Sequence, residues 1–63
     1  MNVKQLRMAR RLTQRTLAYR AKLSQAFIAQ LETGAESNPT LITLRRLAKA
    51  LNVTVGELVD KPD

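Results

Sequence analysis

The sequence predicts an all-α fold, a compact five-helix domain built around a helix-turn-helix, from three observations. First, two hydroxyl residues, Thr13 and Ser24, stand immediately ahead of helix-forming runs, Gln14-Arg15-Thr16-Leu17-Ala18 and Gln25-Ala26-Phe27-Ile28. A Ser or Thr there accepts a hydrogen bond from a backbone N–H that the helix leaves unpaired. Second, only Lys22 and Leu23 separate the end of the first of these helices from the cap of the second, and so short a link forces two packed helices to cross sharply. Third, Leu41, Leu44, Leu47, Ala48 and Leu51 recur at the spacing of one helix face, and Thr54-Val55-Gly56-Glu57 then has the form of a capping box for a further helix.

Taken in order, Asn2 is placed to cap a first helix from Val3 to about Arg11, with Gln5 reaching back and Val3 and Leu6 inward. Leu12 plugs the gap between the first and second helices. The second helix, Gln14 to about Ala21, buries Leu17, Ala18 and Ala21 and leaves Arg15, Tyr19 and Arg20 outside. The third runs from Ser24 to about Thr33, with Gly34 as its left-handed terminus. At roughly 100° per residue, Ile28, Leu31 and Phe27 fall on its inner arc, and Gln25, Ala26, Ala29, Gln30 and Thr33 on an outer arc without charge. Residues 35–39 form a loop in which Pro39 pushes Asn38 out of helical geometry, and Thr40 caps the fourth helix. Asn52 ends that helix in a left-handed conformation, and Leu58 of the fifth returns to the core. Residues 60–63 form a polar tail expected to fray.

Composition narrows the function. One domain, residues 1–63, with one Tyr, one Phe and no Trp must build its core from Leu, Ile, Val and Ala. No Cys and no His means no disulfide scaffold and no Cys/His zinc site, and five scattered carboxylates offer neither a nucleophile–base pair nor a metal cage. An enzyme is therefore not expected, nor a cofactor, a metal or a small-molecule ligand. No apolar run reaches a membrane span and no signal-peptide pattern appears, so a cytoplasmic protein is expected. The charge of +6 is lopsided: residues 1–35 carry seven basic residues against Glu32 alone, whereas residues 36–63 carry four of each sign. Such a half attracts polyanions by counterion release.

In this order and spacing the chain resembles the lambda-repressor-like, Cro-type (Xre) helix-turn-helix regulators. The resemblance rests on Leu12-Thr13-Gln14, Leu17-Ala18, Ala21, Leu23-Ser24, Ile28, Leu31-Glu32 and Gly34. It continues through Asn38-Pro39-Thr40-Leu41, Leu44, Leu47 to Leu51, Val53-Thr54 and Glu57-Leu58, so it covers nearly the whole chain. It implies a sequence-specific transcriptional regulator, a repressor by preference, that lays helix 24–33 in the major groove of double-stranded DNA. Gln25, Ala26, Ala29 and Gln30 are the expected base contacts, since Gln bonds bidentately to adenine and an Ala methyl meets that of thymine. Gln14, Arg15, Lys22, Ser24, Thr33, Asn38 and Thr40 are expected against the phosphate backbone. In the family the Gln at position 14 also steadies the first side chain of the recognition helix, here Gln25.

Three positions depart from the family pattern. Arg11 and Lys22 stand where small residues or glycine are common, which leaves turns of another shape open, and Glu36 sets a carboxylate where phosphate is expected. Glu32, in the last turn of its helix, needs a cationic partner because the helix dipole disfavours it there, and the resemblance points to Arg7. Related regulators bind pseudo-palindromic operators as two-fold dimers. A weak homodimer formed on DNA through Val55, Leu58 and Val59 is expected. The alternative is a protein-binding module of antitoxin or anti-repressor type on the same scaffold, which an exposed apolar patch around Val55, Val59 and Phe27 would favour.

Overall fold

Four helices begin on a threonine or serine and three end on a left-handed residue with a full side chain, and these local devices set the boundaries of the domain. The computed structural model describes residues 1–60, as α1 (Val3–Ala9), α2 (Gln14–Ala21), α3 (Gln25–Thr33), α4 (Leu41–Leu51) and α5 (Val55–Val59). The hydroxyls of Thr13, Ser24, Thr40 and Thr54 accept from the backbone N–H groups of Thr16, Phe27, Thr43 and Glu57. At α5 the capping box is complete, with the Thr54 N–H donating back to Glu57 Oε1 at 3.3 Å. Of the tail expected to fray, residues 61–63 lie outside the described residues, and the Asp60 N–H donates to Gly56 O at 3.1 Å.

Asn2 corrects one expectation. It precedes α1, but at φ −115° and ψ 39° it is not in the extended geometry of a cap, and its side chain accepts no hydrogen bond from the helix. Its Oδ1 is buried without a partner among the described residues, while its backbone N–H donates to Leu58 O at 3.2 Å and fastens the start of α1 to α5. Gln5 is exposed and does not complete a box. The first helix is also shorter than expected, ending at Ala9.

The turns after α1, α2 and α4 share one construction. Arg11 (φ 56°), Lys22 (φ 59°) and Asn52 (φ 58°) take the left-handed conformation, and the residue after each donates its N–H back five positions, Leu12 to Arg7 O, Leu23 to Ala18 O and Val53 to Ala48 O. This is the Schellman termination, which satisfies carbonyls at the helix end and turns the next residue inward. Leu12, Leu23 and Val53 are each packed against the core. Neither Arg11 nor Lys22 therefore produces a turn of another shape; each adopts the conformation a glycine would adopt, at a cost of about 1 kcal/mol.

The core is aliphatic, as composition required: Val3, Leu17, Ile28, Leu47, Leu51 and Leu58 are essentially inaccessible, with Ala18, Ala21 and Ala48 between them. The small alanines let α2 lie close against both α3 and α4, while α5 packs on α4 and α1 on α3. Leu41 departs from its expected core position and is 54% exposed, as Ile42 is at 63%. Both lie in the first turn of α4, and the inward stripe begins one turn later at Leu44.

One polar cluster joins the first three helices. Arg7 Nε donates to Glu32 Oε2 at 2.7 Å and Arg7 Nη2 to Glu32 Oε1 at 3.0 Å, a bidentate pair from α1 to α3. Arg7 Nη1 also donates to Leu12 O at 2.8 Å, and Gln14 Nε2, at the start of α2, to Glu32 Oε1 at 3.0 Å. The two charged side chains are only 13% and 4% exposed. Burial alone would push the Glu32 carboxyl up, but the hydrogen bonds from Arg7 and Gln14 and the charges of Arg7 and Lys4 together hold it below its ordinary value. Elsewhere Arg10 Nε donates to Leu51 O at 2.9 Å, tying the end of α1 to the end of α4.

Two outcomes are expected from this construction. Arg11→Gly should raise stability by about 1 kcal/mol, read as a higher urea midpoint at unchanged slope, because glycine holds φ near 56° without strain. Glu32→Ala should cost about 3 kcal/mol, a large part of the roughly 3–9 kcal/mol available to a domain of this size, because it strands Arg7 among half-buried groups. A double-mutant cycle with Arg7→Ala should give a coupling of at least about 1 kcal/mol, and additive losses would refute the pair's cooperative role. Because the Glu32 carboxyl is lowered in the folded protein, its stabilisation is complete above the free-glutamate range near about 4.3 and is lost as pH falls through the lower folded value. Glu32→Gln should therefore flatten the acid limb of the stability profile.

Candidate nucleic-acid interface

Helix α3 divides into two faces as its sequence demands. Ile28 and Leu31 are buried and Phe27 is half-buried against the core, while Gln25, Ala26, Gln30 and Thr33 are exposed. Ala29, expected on the outer arc, is half-buried, so its methyl is only partly presented. The side-chain amides of Gln25 and Gln30 make no hydrogen bonds to other described residues, which leaves both donors and acceptors available to an external partner. With no acidic residue in its first turn and no basic one in its last, the outer surface of α3 is a neutral, hydrogen-bonding ridge.

The ends of the neighbouring helices supply the groups around this ridge. The first turns of α2, α3 and α4 carry no acidic residue, although helix starts generally favour one; among the last four helices only α5 has one, Glu57. Neutral hydroxyl caps leave the positive ends of these helices uncompensated by charge, a disposition suited to an oxyanion. Arg15, Lys22 and Ser24 are exposed, as are Asn38 and Thr40. The Ser24 and Thr40 hydroxyls are each engaged in a cap, and the Thr33 hydroxyl donates to Gln30 O at 3.3 Å. Glu36 is turned into its own loop, where Oε1 accepts the Asn38 N–H at 3.1 Å, so its charge is partly spent on the backbone rather than presented outward.

Gln14 does not meet the expected partner. Its side-chain nitrogen donates to Glu32, about two turns along α3 from Gln25, and no hydrogen bond joins it to Gln25. Its backbone N–H, at the first position of α2, still faces out of the helix start. What the sequence did not suggest is that this residue completes the shell around a carboxylate. The only signal for that was the need of Glu32 for donors.

The surface assigned to self-association is smaller than expected. Leu58 is fully buried and cannot contact another molecule, because it is the residue that seats α5 on the core. Val55 is half-buried, and Val59 remains 41% exposed. Phe27, like Val55, is half-buried against the core, so of the three only Val59 is exposed. Among the described residues no helix is long and apolar enough to cross a membrane, and no group of acidic side chains is placed to hold a metal ion.

This geometry agrees with what the chain is similar to. The Helix-turn-helix family model matches residues 3–58. An uncharacterized HTH-type transcriptional regulator, y4dJ, of Sinorhizobium fredii is 44% identical over 62 residues, covering 98% of this chain and 79% of that protein. The immunity repressor protein of Bacillus phage phi105 is 40% identical over 57 residues, covering 90% of this chain but only 39% of the repressor's length. No solved structure matches the chain at the same stringency. A family model spanning all five helices, on a fold whose α2 and α3 form the helix-turn-helix, leaves one assignment: the chain belongs to the lambda-repressor-like, Cro-type helix-turn-helix family of DNA-binding transcriptional regulators.

Proposed function

We propose that the protein is a cytoplasmic, sequence-specific DNA-binding repressor that reads its operator with α3 in the major groove. The observation that carries this reading is the exposed, uncharged ridge of Gln25, Ala26 and Gln30 on a helix whose other face is locked into the core. A rigid helix with free amides matches the donor and acceptor pattern of base edges, whereas charged side chains there would favour phosphate without regard to sequence. The phosphate contacts fall to the exposed Arg15 and Lys22, to Asn38, Thr33 and Thr40, and to the uncompensated N-termini that begin at Gln14, Ser24 and Thr40. The repressor reading is supported by the phage relative, whose name is that of an immunity repressor.

A single α3 reads only a few base pairs, and family architecture favours two copies on half-sites about 34 Å apart. With Leu58 buried, the self-contact that remains is Val59 and the rim of Val55, far below the ~1,000 Å² of a stable interface. The protein is then a monomer in dilute solution and a dimer on a pseudo-palindrome.

Selection from a random duplex pool supplies the operator on which these assignments are measured. Gln25→Ala should lose about 1–3 kcal/mol on that site and relax preference at one base pair, while Lys22→Ala should weaken all sequences alike and reduce the salt slope by about one. Unchanged affinity and preference in Gln25→Ala would remove α3 from the base edges. Sedimentation with a full-length site should show two protomers per duplex and Val59→Asp should abolish the cooperativity; a saturated one-to-one complex insensitive to that change would exclude the dimer.

A further inference from the structure

Between the C-terminal half of α2 and the outer face of α4 lies a groove of about 420 Å³ lined by Arg20, Ala21, Lys22, Arg46, Lys49 and Ala50. All four cations are exposed, and among the described residues none forms an ion pair, since the one salt bridge there is Arg7 to Glu32. Among the described residues no carboxylate lines the groove. Its floor is different in kind: Ala21 is buried beneath it and the half-buried Ala50 is the apolar surface it presents, so the bottom is aliphatic and the rim cationic.

We propose that this groove docks an acidic, partly apolar peptide segment of a partner protein. The rim supplies Coulomb attraction for Asp and Glu side chains, and the half-buried Ala50 at the floor meets a small apolar side chain between them. Charge complementarity selects an anion, and the lining selects the kind. A compact phosphate ligand is best held by converging backbone N–H groups or a helix N-terminus. This groove is instead walled by the C-terminal half of α2, where the helix dipole is negative and the positive charge comes only from long, separated side chains. Duplex DNA is disfavoured by placement, an argument that rests on the function proposed above: α2 and α4 are there assigned to phosphate through the N-termini at Thr13 and Thr40. Lys22 alone is shared between the phosphate contacts proposed above and the groove rim, whereas Arg20, Arg46 and Lys49 lie about 9–14 Å from those N-termini along their helices. The operator and the peptide would then be bound together.

The test uses the full chain and a short fluorescent peptide of alternating Glu and Leu, with the same peptide carrying Gln for every Glu as control. Anisotropy should show weak, salt-sensitive binding of the acidic peptide alone, and amide shifts on titration should centre on residues 20–22 and 46–50. Arg46→Ala with Lys49→Ala, at exposed positions of a helix that alanine favours, should weaken the peptide about tenfold while changing affinity for the selected operator less than about twofold. Saturating operator should leave the peptide bound. Absence of binding, shifts spread over the whole basic surface, or equal binding of the Gln control would overturn the proposal. Displacement of the peptide by duplex, with an equal loss of operator affinity in the double variant, would also overturn it by assigning the groove to DNA. Failure of the peptide arm leaves operator selection intact, and failure to select any operator leaves the peptide titration interpretable, so the two readings fail separately.

Discussion

The carboxylate of Glu32 is the constraint to which the arrangement of the first three helices answers. It sits near the C-terminal end of α3, where the helix dipole opposes it, and it is almost entirely withdrawn from water. A carboxylate so placed stays charged only if donors surround it, and three do: two from Arg7 and one from Gln14. Arg7 reaches it from α1 and Gln14 from α2, and the third nitrogen of Arg7 binds the carbonyl of Leu12 in the link between those helices. The polar shell therefore fixes α1, the start of α2 and the end of α3 relative to one another. An aliphatic core of this size, whose members can slide with little loss of contact area, specifies that relation less sharply.

Local chemistry made most of the fold legible in the sequence. Thr13, Ser24, Thr40 and Thr54 cap the helices they precede, and Asn52 and Gly34 take the left-handed conformations their side chains tolerate. Asn2 did not follow the same logic, because its backbone is held by Leu58, distant in sequence, and tertiary contact outranks capping preference there. Leu41 has the periodicity of the core but sits a turn beyond it, since spacing gives direction around a helix and not whether anything covers that turn. The candidate site was written in the sequence as residue types on one arc, and three of the four positions proposed to contact bases are exposed. The partner of Gln14 and the basic groove were not legible, because both depend on which helices lie side by side.

Electrostatics separates the tasks of the surface. The only acidic residue in the first 35 is consumed internally by Arg7, and Glu36 is folded onto its own loop, so neither opposes an incoming polyanion as a free charge. Exposed cations such as Arg15 and Lys22 precede a helix whose outer face carries no charge. Cations around the edge give attraction at a distance that does not depend on sequence, and neutral amides in the middle discriminate only on contact. Ala29 is half-buried, so the exposed part of that face is Gln25, Ala26 and Gln30.

The exposure of Tyr19 has a consequence for how the protein is observed. It is the single tyrosine, there is no tryptophan, and at 85% accessibility its ring is nearly as wet in the folded chain as in an unfolded one. Intrinsic ultraviolet emission is consequently almost blind to unfolding, and a melt followed at that wavelength would look flat while the aliphatic core came apart. The same ring stands one turn after Arg15 on the outside of α2. Its light therefore reports the solvent over the outer face of α2 far more than the state of the core.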